Sequence, residues 1–179
     1  MKIRTGFVSN SSSSSFIIIK GKPNEASIEN ANSLVVACLR SNSTLSIPNE
    51  DLGEDRFGWH GSFNYFGDKL NFCAIQIIGI RDVLKDNRLE MLDMRINDMK
   101  DLPFKHDWKK YFAMLKNVCR EYLNLEVKLN NNTDGYIDHQ SCAYEGQCME
   151  MFESKDALVS FLFNSSSSIE CRNDNEEDD

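Results

Sequence analysis

The sequence predicts a single α+β domain: a small, mostly antiparallel sheet packed by two or more helices. Three observations carry that expectation. Residues 107–124 repeat apolar side chains at the helical period, Leu125 to Leu129 alternate as a half-buried strand, and a β-branched run stands near the amino terminus. The length of 179 residues fits one domain, and a hydrophobic fraction of 41% with 11 Phe is enough to fill its core.

Taken in order, Phe7-Val8 and Phe16-Ile17-Ile18-Ile19 bracket a serine run, and Gly21-Lys22-Pro23 ends the segment. The Ile triplet reads as a strand buried on both faces. From Ser27 to Arg40, Ile28, Ala31, Leu34, Val35 and Cys38 fall on one helical face. Residues 48–68 are rich in turns. There Phe57, Trp59, Phe63 and Tyr65 occupy odd positions, which suits one or two short strands with an aromatic face. Asp68 is placed to cap a helix running through Ile78, with Leu70, Cys73, Ala74, Ile77 and Ile78 on one side. A strand is the alternative for this stretch.

Arg81 to Lys100 is charged, suits one or two short helices, and is closed by Pro103. The next pattern is the clearest in the chain. Trp108, Tyr111, Phe112, Leu115, Val118, Cys119, Tyr122 and Leu123 form one apolar stripe of a long amphipathic helix. Asp107 at its start is favourably placed against the helix dipole. After the strand at 125–129, Asp134-Gly135 signals a hairpin turn, with Tyr136-Ile137 opening the return strand. Ser154 caps a short helix that turns Ala157, Leu158, Phe161 and Leu162 inward, and 168–171 suit a last short strand. The expected sheet thus joins the amino-terminal strand, the 125–140 hairpin and the 57–66 segment.

Charge narrows the range of partners. Of the net −8, five acids lie in Asp174 to Asp179, which leaves −3 for the body. Residues 1–172 are therefore expected to form the domain and 173–179 an acidic disordered tail. An acidic chain is a poor neutraliser of phosphates, so no nucleic-acid partner is expected. No run of 18 apolar residues is present for a membrane span, and Met1 to Val8 lacks the apolar stretch of a secretory signal. Of the six cysteines, three stand in apolar stretches that read as core. Free thiols in a reducing cytoplasm is the expectation, and no cofactor or metal is called for.

Asp138-His139-Gln140-Ser141-Cys142 is the densest cluster of reactive side chains. On a strand, His139 shares a face with Ser141 and Asp138 with Gln140. A general base at His139 would therefore need an acid from elsewhere, such as Glu145, Glu150 or Asp174. The plainer account is a histidine satisfied by a neighbour. Cys142 and Cys148 are six apart with no second pair, which is wrong for zinc. Trp59-His60-Gly61 could stack a base or sugar, although such a stretch is more often hairpin and core packing. No phosphate-binding glycine loop, nucleophile elbow or metalloprotease helix occurs.

The serine run Ser11, Ser12, Ser13, Ser14 and Ser15 is held between apolar flanks, which makes it an anchored element. Its hydroxyls and uncrowded amides are candidates to cradle an anion or a partner segment. The opening Met1-Lys2-Ile3-Arg4-Thr5-Gly6-Phe7-Val8-Ser9-Asn10, continued by these serines and Phe16, resembles a group of bacterial and tailed-phage proteins. They share an FVSNSSSSSF-type start ahead of divergent bodies. Tyr136 to Ser141, Phe161 to Asn164 and Asn173 to Asn175 resemble later phrases of the same group, and the whole likeness covers about a fifth of the chain. It implies a phage or bacterial cytoplasmic origin and carries over no catalytic residue.

Two functions are compatible with these features. One is a non-enzymatic protein that binds another protein in the (host) cytoplasm. The alternative is a hydrolase or transferase on a phosphate-bearing substrate, using Asp138 and His139, with the serines and Ser141 holding the anion.

Overall fold

The computed structural model describes residues 13–39, 42–58, 60–85, 107–131, 135–137 and 149–173, with the backbone alone at 13–15, 83–85 and 172–173. These residues form an α+β fold of seven strands and four α-helices. The strands are β1 (Ser13–Ile18), β2 (Thr44–Ile47), β3 (Arg56–Phe57), β4 (Gly61–Phe63), β5 (Glu126–Leu129), β6 (Tyr136–Ile137) and β7 (Ser168–Asn173). The helices are α1 (Glu25–Cys38), α2 (Phe66–Lys85), α3 (Trp108–Leu123) and α4 (Lys155–Phe163). Short 3-10 turns lie at Glu50–Leu52 and Glu150–Phe152.

The largest sheet is antiparallel, in the order β1-β7-β4. Its centre is β7, the last described strand, with Ser13 opposite Asn173 and Phe63 opposite Ile169. The serine run therefore does not stop short of the strand, since Ser13–Ser15 form the first half of β1. Only Ile17 of the Ile triplet is fully buried, while Ile18 and Ile19 are half-buried. As the outer strand of its ladder, β1 turns one face to the core, and that explains the departure from burial on both faces.

Among the described residues the expected hairpin at 125–140 is not formed, since β5 and β6 do not pair with each other. β5 pairs in parallel with β2, Thr44 opposite Glu126, and β6 pairs in parallel with β3, Arg56 opposite Tyr136. Parallel pairing needs a long crossover, and here α2 and α3 supply it. Both partners come from the 44–57 segment, more than seventy residues earlier, so a local turn signal could not reveal them.

α2 is the core helix. Leu70, Phe72, Cys73, Ala74 and Ile77 are buried against Leu115, Val118 and Cys119 of the α3 stripe and Leu158, Phe161 and Leu162 of α4. Phe72 meets Phe57 edge-on at 5.2 Å, and Phe57 meets Phe63 edge-on at 5.1 Å. Such pairs add to simple burial. α3 follows its sequence pattern closely. Asp107 caps it by accepting from the backbone N–H groups of Lys109 and Lys110, and Asn124 ends it in the left-handed conformation at φ 50°. Ser154 caps α4 as expected, accepting from the Ala157 N–H at 3.1 Å.

Two expectations change. α2 begins at Phe66, so Asp68 lies inside its first turn and does not cap it. On α1, Ala31 and Val35 are buried, but Leu34 stands at the edge of the stripe and is 38% exposed.

Candidate functional site

α2 carries Asp68, Lys69, Asn71 and Gln76, all buried. Burying polar groups is costly unless each finds a partner. Asp68 and Asn71 turn towards the 49–54 loop. Asp68 accepts from the Glu54 N–H at 2.6 Å, while Asn71 accepts from the Asn49 N–H at 3.0 Å and donates to the carbonyls of Asn49 and Glu54. Lys69 turns the other way. Its ammonium donates to the carbonyl oxygens of Asn164 at 2.9 Å and Ser167 at 3.3 Å. The Ser167 hydroxyl donates to Ser160 O and accepts from the Lys20 N–H, both at 2.9 Å. Two loops are thus tied directly to one helix, and a third, at Lys20, is joined to them through Ser167.

Burial also shifts the ionisation of these groups. It lowers Lys69 to about 8 against the partial opposition of Cys73 and Asp68, and raises the Asp68 carboxyl against its Glu54 hydrogen bond. Cys73 is pushed well up by burial, with Cys119 adding to it, and Cys119 is pushed up to about 12 by burial. Perturbed groups of this kind mark functional sites when they face a cleft. None of these four lines either of the two clefts described next.

The clefts lie elsewhere. One of about 300 Å³ is lined by Cys38, Leu39, Asn42, Thr44, Leu45, Ser46, Asn49 and Asp51. A second of about 160 Å³ is lined by Lys22, Pro23, Ile28, Tyr122, Asp156, Val159 and Ser160. The larger sits at the lower end of small-molecule sites, roughly 300–1,000 Å³. Its half-buried thiol, Cys38, is hydrogen-bonded to the Asp51 carbonyl at 3.4 Å. Neither cleft brings a base to a nucleophile. No disulfide joins Cys38, Cys73, Cys119 or Cys171, and no three His, Cys, Asp or Glu among the described residues are grouped to hold a metal ion.

Asp138, His139 and Ser141 lie outside the described residues, as do Ser11, Ser12, Trp59, Cys142, Cys148 and the acidic 174–179 stretch. Their neighbours are placed. Ser13, Ser14 and Ser15 belong to the β1–β7 ladder, whereas Ile137, next to Asp138, pairs with Phe57 in the separate β3–β6 ladder.

Sequence reasoning passed over the exposed face of that second ladder. Phe57 and Ile137 point into the core, so the alternation of each strand sends Arg56 and Tyr136 outward. The Arg56 guanidinium lies 6.0 Å from the Tyr136 ring centre, and Tyr136 is 52% exposed. Tyr65, expected on the aromatic face of a short strand, lies beyond the end of β4 and is 76% exposed. An outward-inward alternation of Arg56 with Phe57 and of Tyr136 with Ile137 was the available signal, but two residues are too few to show a period.

Comparisons with protein-family models, with curated proteins and with solved structures give no match to this chain. No helix among the described residues is long and apolar enough to cross a membrane.

Proposed function

We propose that this is a phage- or bacterium-encoded accessory protein that acts in the cytoplasm by binding another protein. The observation that carries it is the Arg56–Tyr136 pair, held outward on a two-stranded ladder whose other face is anchored by Phe57 and Ile137. Arg and Tyr dominate the energetics of protein interfaces, because they combine contact area with directional donors and lose little entropy when pre-ordered. The pair is ordered by its own cation–π contact, so part of that entropy cost falls before binding. The amino-terminal resemblance supports the phage or bacterial origin. The enzymatic alternative rests on Asp138, His139 and Ser141, and no geometry of the described residues favours it.

The test is affinity capture from the encoding cells, followed by reconstitution with the captured protein. Binding should weaken at least tenfold in Arg56→Ala/Tyr136→Ala, with the far-UV and thermal profiles unchanged. Undiminished binding by that variant, or nucleotide turnover by a protein that captures nothing, would sink the proposal.

A further inference from the structure

The exposed side of α3 reverses the sign of the molecule. Lys109, Lys116 and Arg120 are spaced seven and four apart, which stacks them in one stripe along the helix, with Ala113 between them and Lys110 to one side. The small, exposed Ala113 leaves the cations uncovered. The ammonium groups of two of them lie over half-buried rings. Lys109 Nζ lies 5.8 Å from the Trp108 ring centre and Lys116 Nζ 5.7 Å from that of Phe112.

This stripe already receives one carboxylate. Glu126, on β5, takes Lys116 Nζ on one oxygen at 2.8 Å and Arg120 Nη2 on the other at 2.7 Å. The two cations hold the Glu126 carboxyl down, at about 2. One acid against two bases leaves the centre of the stripe positive. Lys109 and Lys110 form no ion pair among the described residues. On the other flank, Glu121 is held by Lys155.

We infer that the exposed face of α3 is a docking surface for an acidic segment of a partner protein, whose carboxylates pair with Lys109 and Lys110 and with the donors that Glu126 leaves unused on Lys116 and Arg120. Charge complementarity selects that occupant. The chain as a whole carries −8, which repels a polyanion the size of a nucleic acid at long range but not a short acidic segment reaching one local stripe. The aromatic rings beside the stripe are capped by lysines and packed on the core, so they do not offer the open faces on which bases stack. This inference concerns a different surface from Arg56 and Tyr136, and its success or failure is independent of theirs.

The probe is a fluorescently labelled octaglutamate peptide, titrated with the full chain by anisotropy at low salt. Lys109→Glu/Lys110→Glu should weaken binding at least tenfold, since neither lysine holds an ion pair of the fold and circular dichroism should be unchanged. Lys22→Glu, on an exposed lysine outside the stripe, and Arg56→Ala/Tyr136→Ala should leave it within twofold. Four results would overturn the inference: no binding by the wild type, equal binding by Lys109→Glu/Lys110→Glu, equal loss in Lys22→Glu, or tighter binding of a single-stranded oligonucleotide of matched charge.

Discussion

The ammonium of Lys69 and the carbonyl oxygen of Asn164 meet at 2.9 Å in the interior, and Lys69 is 1% exposed. A second bond, to Ser167 O, fixes the turn that leads from α4 into β7. Through the Ser167 hydroxyl the same turn reaches the Lys20 N–H beyond β1. One cation therefore sets how α2, α4 and the main sheet meet. Replacing it by Met should cost ~1–3 kcal/mol at pH 7, because buried carbonyls lose their donor. Urea unfolding measures it.

The pH dependence of that difference is more diagnostic. An unfolded lysine ionises near 10.5 and Lys69 in the fold near 8. Between those values the unfolded state binds the extra proton, so this group makes stability rise with pH over 8 to 10.5 and leaves the cost in full below 8. The buried thiols Cys73 and Cys119 act in the opposite direction, losing stability as pH passes about 9. Subtracting the Lys69→Met curve isolates the lysine. The wild type should gain on the variant by ~3 kcal/mol across the window, at about 1.36 kcal/mol per unit. A constant difference would mean that Lys69 ionises in the fold as it does in the unfolded chain, near 10.5.

Gly67 presses its backbone on Leu52, so that a β-carbon there would coincide with the Leu52 carbonyl oxygen. Alanine is otherwise the better helix former. Gly67→Ala should nevertheless destabilise by ~3 kcal/mol, because the clash is with backbone and no side chain can swing away. The thermal midpoint checks it.

Asp107→Ala removes the acceptor of two N–H groups at the start of α3 and should cost ~1 kcal/mol, within the range of measured caps. Asp107→Asn should recover most of that loss, as chemical denaturation will show.

Thiol access should separate Cys38 from the others. Cys38 is half-buried at the larger cleft and should react with a thiol reagent in the native state. Cys73, Cys119 and Cys171 should react only as fast as the fold opens, roughly a hundredfold more slowly or less. Peptide mapping by mass spectrometry resolves each site.

How much of this was legible in the sequence depends on where the determining contacts lie. α3 was legible because one face is wet and the other dry, and Trp108 to Leu123 record that at every turn. α2 was read as ending at Ile78, because Gly79 and the charged Arg81 and Asp82 follow the apolar stripe there, while Asp68, Lys69, Asn71 and Gln76 within it are polar yet all buried. The partners of Asp68, Lys69 and Asn71 are backbone groups of distant loops, which leave no periodic trace. The same holds for Ser167, whose small hydroxyl bonds in the interior but reads in sequence as part of a low-complexity tract. Strand pairing was the least legible. Asp134-Gly135 has the chemistry of a hairpin, yet Val127 pairs with Leu45 and Ile137 with Phe57. Of the candidate site, the sequence marked polar clusters, while the outward Arg56 and Tyr136 became visible only once β3 and β6 were side by side.

The proposed role as a protein-binding protein is tested most directly by placing a photo-crosslinking amino acid at position 136 in the encoding cells. One discrete adduct with a single protein is expected, strongly reduced when Arg56 is changed to Glu, and absent when the crosslinker is moved to the exposed position 22. An adduct pattern at 136 no different from that at 22, or one indifferent to Arg56→Glu, would contradict it.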